Sequence, residues 1–392
     1  MDIKSTTLLS LVSKQTWPQI LSVLHLRPKK LLLLHSENEQ ESKMPAERLS
    51  AFFRDQKIIG RDSICLASVP HDDFSAVGRK LDAIMAEYNV SPDSCILNFT
   101  GGNKLMASAS FDWARKKGVS AFYLERGNEM TWFEKTADGM NTRRGTLPGN
   151  ITDDFDPRDI LKCQIDASDI ERKGEMLTLL RALNENDLKI LNNGGDPLQF
   201  LKVEGTADAD EKKGDRLELL TAALLLHLGV KKVRRSLRLK AKLFNSRLPR
   251  PHTEIDLLFI WNDKMWIVDC KDKIASEELV AALRRDLKCL NMNLTSQIET
   301  LLERIARELA SKRNTVLKED MAAIREIGGL LGRTICVRME QMPDEVLQYA
   351  KFNNINVVQK NDLHNSLKIL LYPNAPAEGK DLAELENIFN NK

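Results

Sequence analysis

Along the first 150 residues the chain switches repeatedly between a short apolar run and a longer stripe of helical period. The runs Thr6 to Val12, Lys30 to His35, Ile64 to Val69, Cys95 to Phe99 and Val119 to Leu124 read as strands, rich in Leu, Ile and Val. Between them a helix opens near Pro18, where proline suits the first turn, and others run from Met44 to Gln56 and from Lys104 to Lys117. From Asp73 to Tyr88, residues Phe74, Val77, Leu81, Ile84 and Met85 fall on one helical stripe. A turn at Arg126-Gly127-Asn128 returns the chain as a strand from Met130 to Glu134. Repeated βα units predict a mostly parallel sheet covered by helices on both faces, a Rossmann-like domain over residues 1–150.

The pattern then changes. Residues 151–205 read as a mixed helical connector, with a long helical pattern from Ala167 to Leu183 and a turn at Gly194-Gly195-Asp196-Pro197. A second α/β domain is expected over 206–372, opening on a charged loop, Asp208 to Lys213, and a helix from Gly214 to Leu228. Strands follow at Thr253 to Trp261 and Lys264 to Cys270, then at Thr334 to Arg338 and Asn356 to Gln359, with Asp362 capping a last helix. A helical insertion over about 274–320 carries Leu283, Leu287, Leu290, Leu294, Ile298, Leu301, Ile305 and Leu309 at three- and four-residue steps. That stripe suits an amphipathic pair on its own core, an interprotomer arm or a lid. Residues 373–392 form a Pro/Ala/Glu-rich tail.

Candidate chemistry concentrates on one hairpin. Asn262-Asp263 is a two-residue turn signal, which sets Trp261 opposite Lys264. Counting back along both strands brings Asp256 opposite Asp269 and Glu254 opposite Lys271, all four on one face because side chains alternate with period two. Opposed carboxylates are roughly 5 Å apart at Cβ and repel, which a divalent cation between them would relieve. Asp256 and Asp269 are therefore candidate ligands for Mg²⁺ or Mn²⁺, and Lys271 a candidate to orient a nucleophile or stabilise charge on a phosphate. Glu218 shares a helical stripe with Ala222 and Leu225 and is a further candidate acid, beside the alternative of an exposed helix glutamate. A three-residue loop instead of two would flip one strand and separate the acids.

In the N-terminal domain, two loops follow strand ends, where open α/β sheets bind ligands. One is Val12-Ser13-Lys14-Gln15-Thr16; the other is Asn98-Phe99-Thr100-Gly101-Gly102-Asn103-Lys104. Paired glycines let backbone approach a ligand closely, and Ser13, Gln15, Thr100, Asn103 and Lys104 can donate to phosphate. Ser36 and His71 are secondary candidates at other strand ends. Neither GxxxxGK[ST] nor GxGxxG occurs, which argues against a Walker A loop or a dinucleotide fingerprint.

Composition narrows the setting. Of 392 residues, 42% are hydrophobic and 29% charged, as in a folded globular protein, and a net charge of +2 gives no global field for nucleic acid. Locally, Lys231 to Arg250 holds nine Lys or Arg and no acid just ahead of the acidic hairpin, suited to holding a phosphate backbone without reading sequence, or to a solvated basic face. Six cysteines with neither a CxxC pair nor zinc spacing read as reduced thiols, and no run reaches membrane-span length, so a cytoplasmic protein is expected.

Thr253-Glu254-Ile255-Asp256 with Asp269-Cys270-Lys271 resembles the PD-(D/E)xK signature of restriction-endonuclease-like nucleases, without its proline and with Asp for the commoner Glu. The string Asn98 to Met106 resembles the ligand loop of CRISPR-associated Rossmann-fold (CARF) domains, and Leu8 to Thr16 their first βα loop. Together they resemble the CARF-nuclease fusions of type III CRISPR systems, over most of the chain and including Ile327 to Arg333. The resemblance implies an α/β chain with an N-terminal Rossmann-like CARF domain and a C-terminal restriction-endonuclease-like domain. It further implies a homodimer, cyclic tetra-adenylate as activator, and metal-dependent cleavage of RNA or DNA with little sequence preference. Two other readings stay open: an ungated restriction or repair endonuclease, and a non-catalytic regulator that binds nucleic acid.

Overall fold

The computed structural model describes residues 6–125, 128–136, 139–205, 215–240, 252–271, 298–305, 332–338, 342–359 and 363–373, with a few single residues between them. The helical insertion around 274–320 (apart from 298–305, which is helical), the charged loop 208–213, the basic stretch 241–250, the Ile327 to Leu331 string and the tail after 373 lie outside them.

Two sheets organise the chain. In the first, β1 (Thr7–Leu11), β2 (Lys30–His35), β3 (Ile64–Ser68), β4 (Cys95–Asn98), β5 (Ser120–Leu124), β6 (Glu129–Thr136) and β7 (Gly139–Thr146) lie in the order β3-β2-β1-β4-β5-β6-β7. The first five pair in parallel, and β6 and β7 add an antiparallel edge. Helices α1 (Trp17–Leu26), α2 (Met44–Asp55), α3 (Phe74–Glu87) and α4 (Lys104–Lys117) make the crossovers. The buried stripe Val77, Leu81, Ile84 and Met85 of α3 is the one expected from sequence, while Phe74 is 45% exposed. Strand β7 carries no apolar alternation and is almost wholly exposed, so sequence gave no sign of it.

The second sheet runs β10-β9-β11-β12-β13-β14-β15, with β8 also paired to β11. Its strands are β8 (Ile170–Arg172), β9 (Glu175–Leu179), β10 (Leu201–Glu204), β11 (Val233–Lys240), β12 (His252–Trp261), β13 (Lys264–Lys271), β14 (Arg333–Arg338) and β15 (Ile355–Gln359). Its helices include α5 (Pro157–Gln164), α6 (Glu185–Asn192), α7 (Asp215–His227), α8 (Asp344–Phe352) and α9 (Leu363–Leu371).

The segment expected as a helical connector therefore supplies three strands. Apolar residues from Ile170 to Leu183 fit helical steps, but Gly174 has φ of 66° and a Cβ there would stand 2.3 Å from the Arg235 carbonyl oxygen, so the chain turns tightly against β11. The basic run is also rearranged. Its first half is the inner strand β11, where Arg234 pairs with Asp156, Arg235 with Glu175 and Arg238 with Glu254. Those arginines are engaged within the molecule because charges drawn into a largely buried strand are neutralised by acidic partners.

A single apolar core joins the two sheets: Ile20, Leu24, Leu49 and Phe53 of α1 and α2 and Ile160 and Leu161 of α5 cluster with Leu237, Leu239, Ile255, Leu258 and Ile267 of the second sheet. No described helix is long and apolar enough to cross a membrane.

Candidate active site and ligand loop

Asn262 and Asp263 take φ of 49° and 55°, the left-handed pair that a type I′ turn needs and that Asn and Asp tolerate best. The ladder then runs Trp261↔Lys264 to Leu257↔Val268, the register expected from the two-residue loop. Asp256 and Asp269 stand one step beyond its last pair. On the other side of β12, pairing continues through Arg235↔Leu257 and Leu237↔Ile255, but the intervening Ser236 is twisted to φ 52°. The strand next to Asp256 is thus kinked beside the acid.

The acids are buried, Asp256 at 7% exposure and Asp269 at 3%. Lys271 reaches both, its Nζ 2.9 Å from Asp269 Oδ1 and 3.9 Å from Asp256 Oδ2. Asp256 Oδ2 also accepts the Cys270 backbone N–H at 2.6 Å. Arg338, at the end of β14, donates through Nη2 to Asp269 Oδ2 at 2.6 Å and through Nη1 to the Asp269 carbonyl at 2.9 Å. Burial, reinforced by the charge of Asp269, pushes Asp256 up to about 7. Burial would raise Asp269 too, but the Arg338 guanidinium and Lys271 ammonium outweigh it and hold this carboxyl below its ordinary range. The two acids are driven apart: one stays ionised while the other exchanges a proton near neutrality.

Glu218 and Glu254 flank this centre. Glu218, on α7, has Oε2 3.8 Å from Arg235 Nε, and with Asp256 and Asp269 it adds to the effect of burial in pushing the Cys270 thiol up. One turn on, Thr221 packs against Cys270, which seats α7 beneath β13. Glu254 stands 3.8 Å from Arg238 and, after burial and Asp269, also acts to raise Asp256; its ion partner is this arginine rather than Lys271. Sequence reasoning missed Arg338, Arg235 and Glu175. An arginine closing the apolar strand Thr334 to Val337 was a usable signal for the first; Arg235 and Glu175 meet only through the β9–β11 pairing.

Among the described residues no three His, Cys, Asp or Glu side chains are gathered as a ready metal cage. The donor set still fits a hard cation. Two opposed carboxylates, whose repulsion a cation between them relieves, are what Mg²⁺ engages when waters and substrate oxygens complete its shell.

At the carboxyl ends of β1, β2 and β4, a cavity of about 290 Å³ is lined by Val12, Ser13, Ser36, His71, Gly102 and Asn103 among others. Ser42 closes its floor, donating to the Val12 carbonyl at 2.8 Å and accepting the Ser36 N–H at 3.0 Å. Gly101 is forced by contact: a Cβ there would lie 2.1 Å from the Leu11 carbonyl oxygen. Gly102 takes φ of 75°, and Asn103 caps α4, accepting the Met106 N–H at 2.8 Å while its amide donates to the His71 carbonyl at 2.8 Å. Ser13, Gly102 and Asn103 are thereby brought together with Ser36 and His71. Thr100 is not: its hydroxyl donates to Asn98 Oδ1 at 2.7 Å and accepts the Leu124 N–H at 2.8 Å, so it braces the loop from behind. Gln15 and Lys104 do not line the cavity, and Lys104 is exposed at the start of α4.

Residues 7–143 match the family model of the Card1 CARF domain, so the N-terminal sheet and its loops are a CARF domain. Solved structures resemble the chain over more than nine-tenths of its length. Can2 from Sulfobacillus thermosulfidooxidans, determined in complex with cyclic tetra-adenylate, is 17% identical, with a TM-score of 0.53 over 92% of this chain and 98% of that one. Protein VC1899 from Vibrio cholerae is 11% identical, with a TM-score of 0.56 over 93% of this chain and 98% of its own. At these identities the likeness is one of fold, and it extends across both sheets. No curated protein matches the chain in sequence.

Proposed function

We propose that the protein is a cyclic tetra-adenylate-activated, metal-dependent endonuclease that cleaves RNA or DNA with little sequence preference in type III CRISPR defence, working as a homodimer. The observation that carries the nuclease half is the buried Asp256/Asp269 pair with Lys271 2.9 Å from Asp269. The sensing half rests on the CARF match and on the cavity between Ser13 and Gly102-Asn103. A four-fold repeating ring on a two-fold axis would present equal halves to two such cavities, which favours a dimer.

Asp256 and Asp269 would hold Mg²⁺ or Mn²⁺, whose chemistry is to polarise a phosphate oxygen and acidify a bound water. Arg338 keeps Asp269 ionised and so fixes the Lys271 ammonium. Lys271, one-third exposed, is the group that can reach out to charge building on a phosphate. Before a cation binds, protonation of Asp256 eases the cost of burying it beside Asp269; with the cation bound both would be ionised ligands. Glu218 and Glu254 supply flanking negative charge. Ser13, Asn103 and the amides at the start of α4 suit ligand phosphates, with Gln15 and Lys104 contributing from outside the cavity.

The test is cleavage of single-stranded RNA, single-stranded DNA and supercoiled plasmid in Mn²⁺, with and without cyclic tetra-adenylate, against Asp269→Ala/Lys271→Ala. Cleavage that needs both the ligand and the intact hairpin is expected. Equal cleavage without ligand would replace this reading with an ungated endonuclease, and ligand binding without cleavage of any substrate would replace it with a regulator.

A further inference from the structure

The loop that closes the ligand cavity and the turn of the acidic hairpin are joined by a buried hydrogen bond. Trp17, the first residue of α1 and four positions after Ser13, is 7% exposed, and its indole N–H donates to the Asp263 carbonyl at 2.8 Å. Asp263 is fully buried, and further side-chain partners of Asn262 and Asp263 come from residues 128, 152 and 153, more than a hundred positions before Asp256. Asp153 accepts the Asn262 and Asp263 backbone N–H groups at 3.0 and 3.1 Å. Thr152 donates to Asp263 Oδ1 through its N–H at 2.7 Å and its hydroxyl at 2.9 Å, and Asn128, beside the first sheet's hairpin, approaches Oδ2 at 3.5 Å. The hairpin is therefore gripped at its turn and carries Asp256 and Asp269 at its other end, about 20 Å away at the usual strand rise.

A second route leaves the same loop. Gln164 of α5 accepts the Thr16 hydroxyl at 3.2 Å and donates to the Lys14 carbonyl at 3.0 Å. At the other end of α5, Asp156 binds Arg234 of β11, with Arg234 Nε donating at 3.0 Å. Both routes start at residues 14–17 and finish on strands adjoining Asp256.

We propose that the Trp17–Asp263 bond, held in the grip of Asp153 and Thr152, is the positioning contact through which occupancy of the ligand cavity resets the acidic hairpin. This rests on the sensor reading above and adds to it the residues that carry the signal. A ligand that binds differently to two positions of the Ser13 loop must bias the position of Trp17, and a rigid two-stranded lever passes that bias to the acids. Trp17 and Asp263 touch neither the ligand nor the substrate in this scheme.

Trp17→Phe keeps the aromatic packing and removes the donor. Hydrogen exchange of the amides at residues 256–271 is measured with and without cyclic tetra-adenylate, beside calorimetric binding of that ligand and a thermal melt. In the wild type, ligand should change exchange across the hairpin. In Trp17→Phe, affinity should stay within about 3-fold and the melt close to wild type, while the ligand-induced exchange change and the ligand stimulation of cleavage fall about 3- to 10-fold, the equivalent of one buried hydrogen bond. A hairpin that responds fully in Trp17→Phe, or a wild-type hairpin indifferent to bound ligand, overturns the coupling alone. Absence of any ligand binding by the wild type overturns the sensor reading and the coupling with it. A second variant, Asp153→Asn, weakens the grip on the turn from the other side and should reproduce the phenotype.

Discussion

Arg338 offers the sharpest test of how the acid centre is built. Its guanidinium is 3% exposed and makes the 2.6 Å contact to Asp269 Oδ2 and the 2.9 Å contact to the Asp269 carbonyl. Replacement by Met preserves much of the apolar stem and removes the charge. Leaving one member of a buried pair unpartnered costs about 3–5 kcal/mol, and because Lys271 still stands at 2.9 Å from Asp269 the loss should lie near the lower end, about 3 kcal/mol. The pH dependence carries the signature. In the wild type Asp269 is held below its ordinary range, so it contributes stability that is present above the unfolded carboxylate pKa and fades only as pH falls through the still lower folded value. Without Arg338, burial dominates and the folded value of Asp269 rises, so its contribution reverses and stability is lost as pH increases. The gap between wild type and Arg338→Met should therefore widen from pH 5 to pH 8. Urea unfolding followed by tryptophan fluorescence at both pH values measures it, with Arg338→Lys as the charge-retaining comparison. A gap under about 1 kcal/mol, or one that does not change with pH, would refute the claim that Arg338 keeps Asp269 ionised.

Asp256→Asn removes a carboxyl that burial pushes up to about 7, and since a raised acid contributes stability below its unfolded value and loses it as pH rises through the folded one, the variant should gain stability relative to wild type from pH 5 to pH 8. The same variant should lose cleavage by about 100-fold or more while binding cyclic tetra-adenylate normally, read by thermal melts, calorimetry and plasmid nicking. Gly101→Ala must move β1 or the loop, because its Cβ would fall 2.1 Å from the Leu11 carbonyl. Ligand affinity should then drop about 10-fold or more, by calorimetry, while amide exchange at residues 256–271 in the ligand-free protein stays close to wild type.

What sequence alone determined was local and periodic. The five parallel strands of the first sheet follow from apolar runs separated by helical stripes. Asn262-Asp263 selected a two-residue turn, and period-two alternation then set Asp256 and Asp269 at matching heights on one hairpin. Gly101-Gly102 marked the loop whose Gly102 and Asn103 line the cavity at the ends of β1, β2 and β4. Tertiary structure decided what depends on distant pairing. The helical steps from Ala167 to Leu183 became β8 and β9 because β11 was there to pair with them, and the basic run became an inner strand whose arginines meet Asp156, Glu175 and Glu254. Thr100 looked like a ligand donor until Asn98 and Leu124 claimed its hydroxyl. Arg338 reaches Asp269 only because β14 lies parallel beside β13, and Trp17 reaches Asp263 only because α1 is packed between two sheets. Periodicity is written in neighbouring residues; the partners of a buried charge or an indole N–H are chosen by which segments the core brings together.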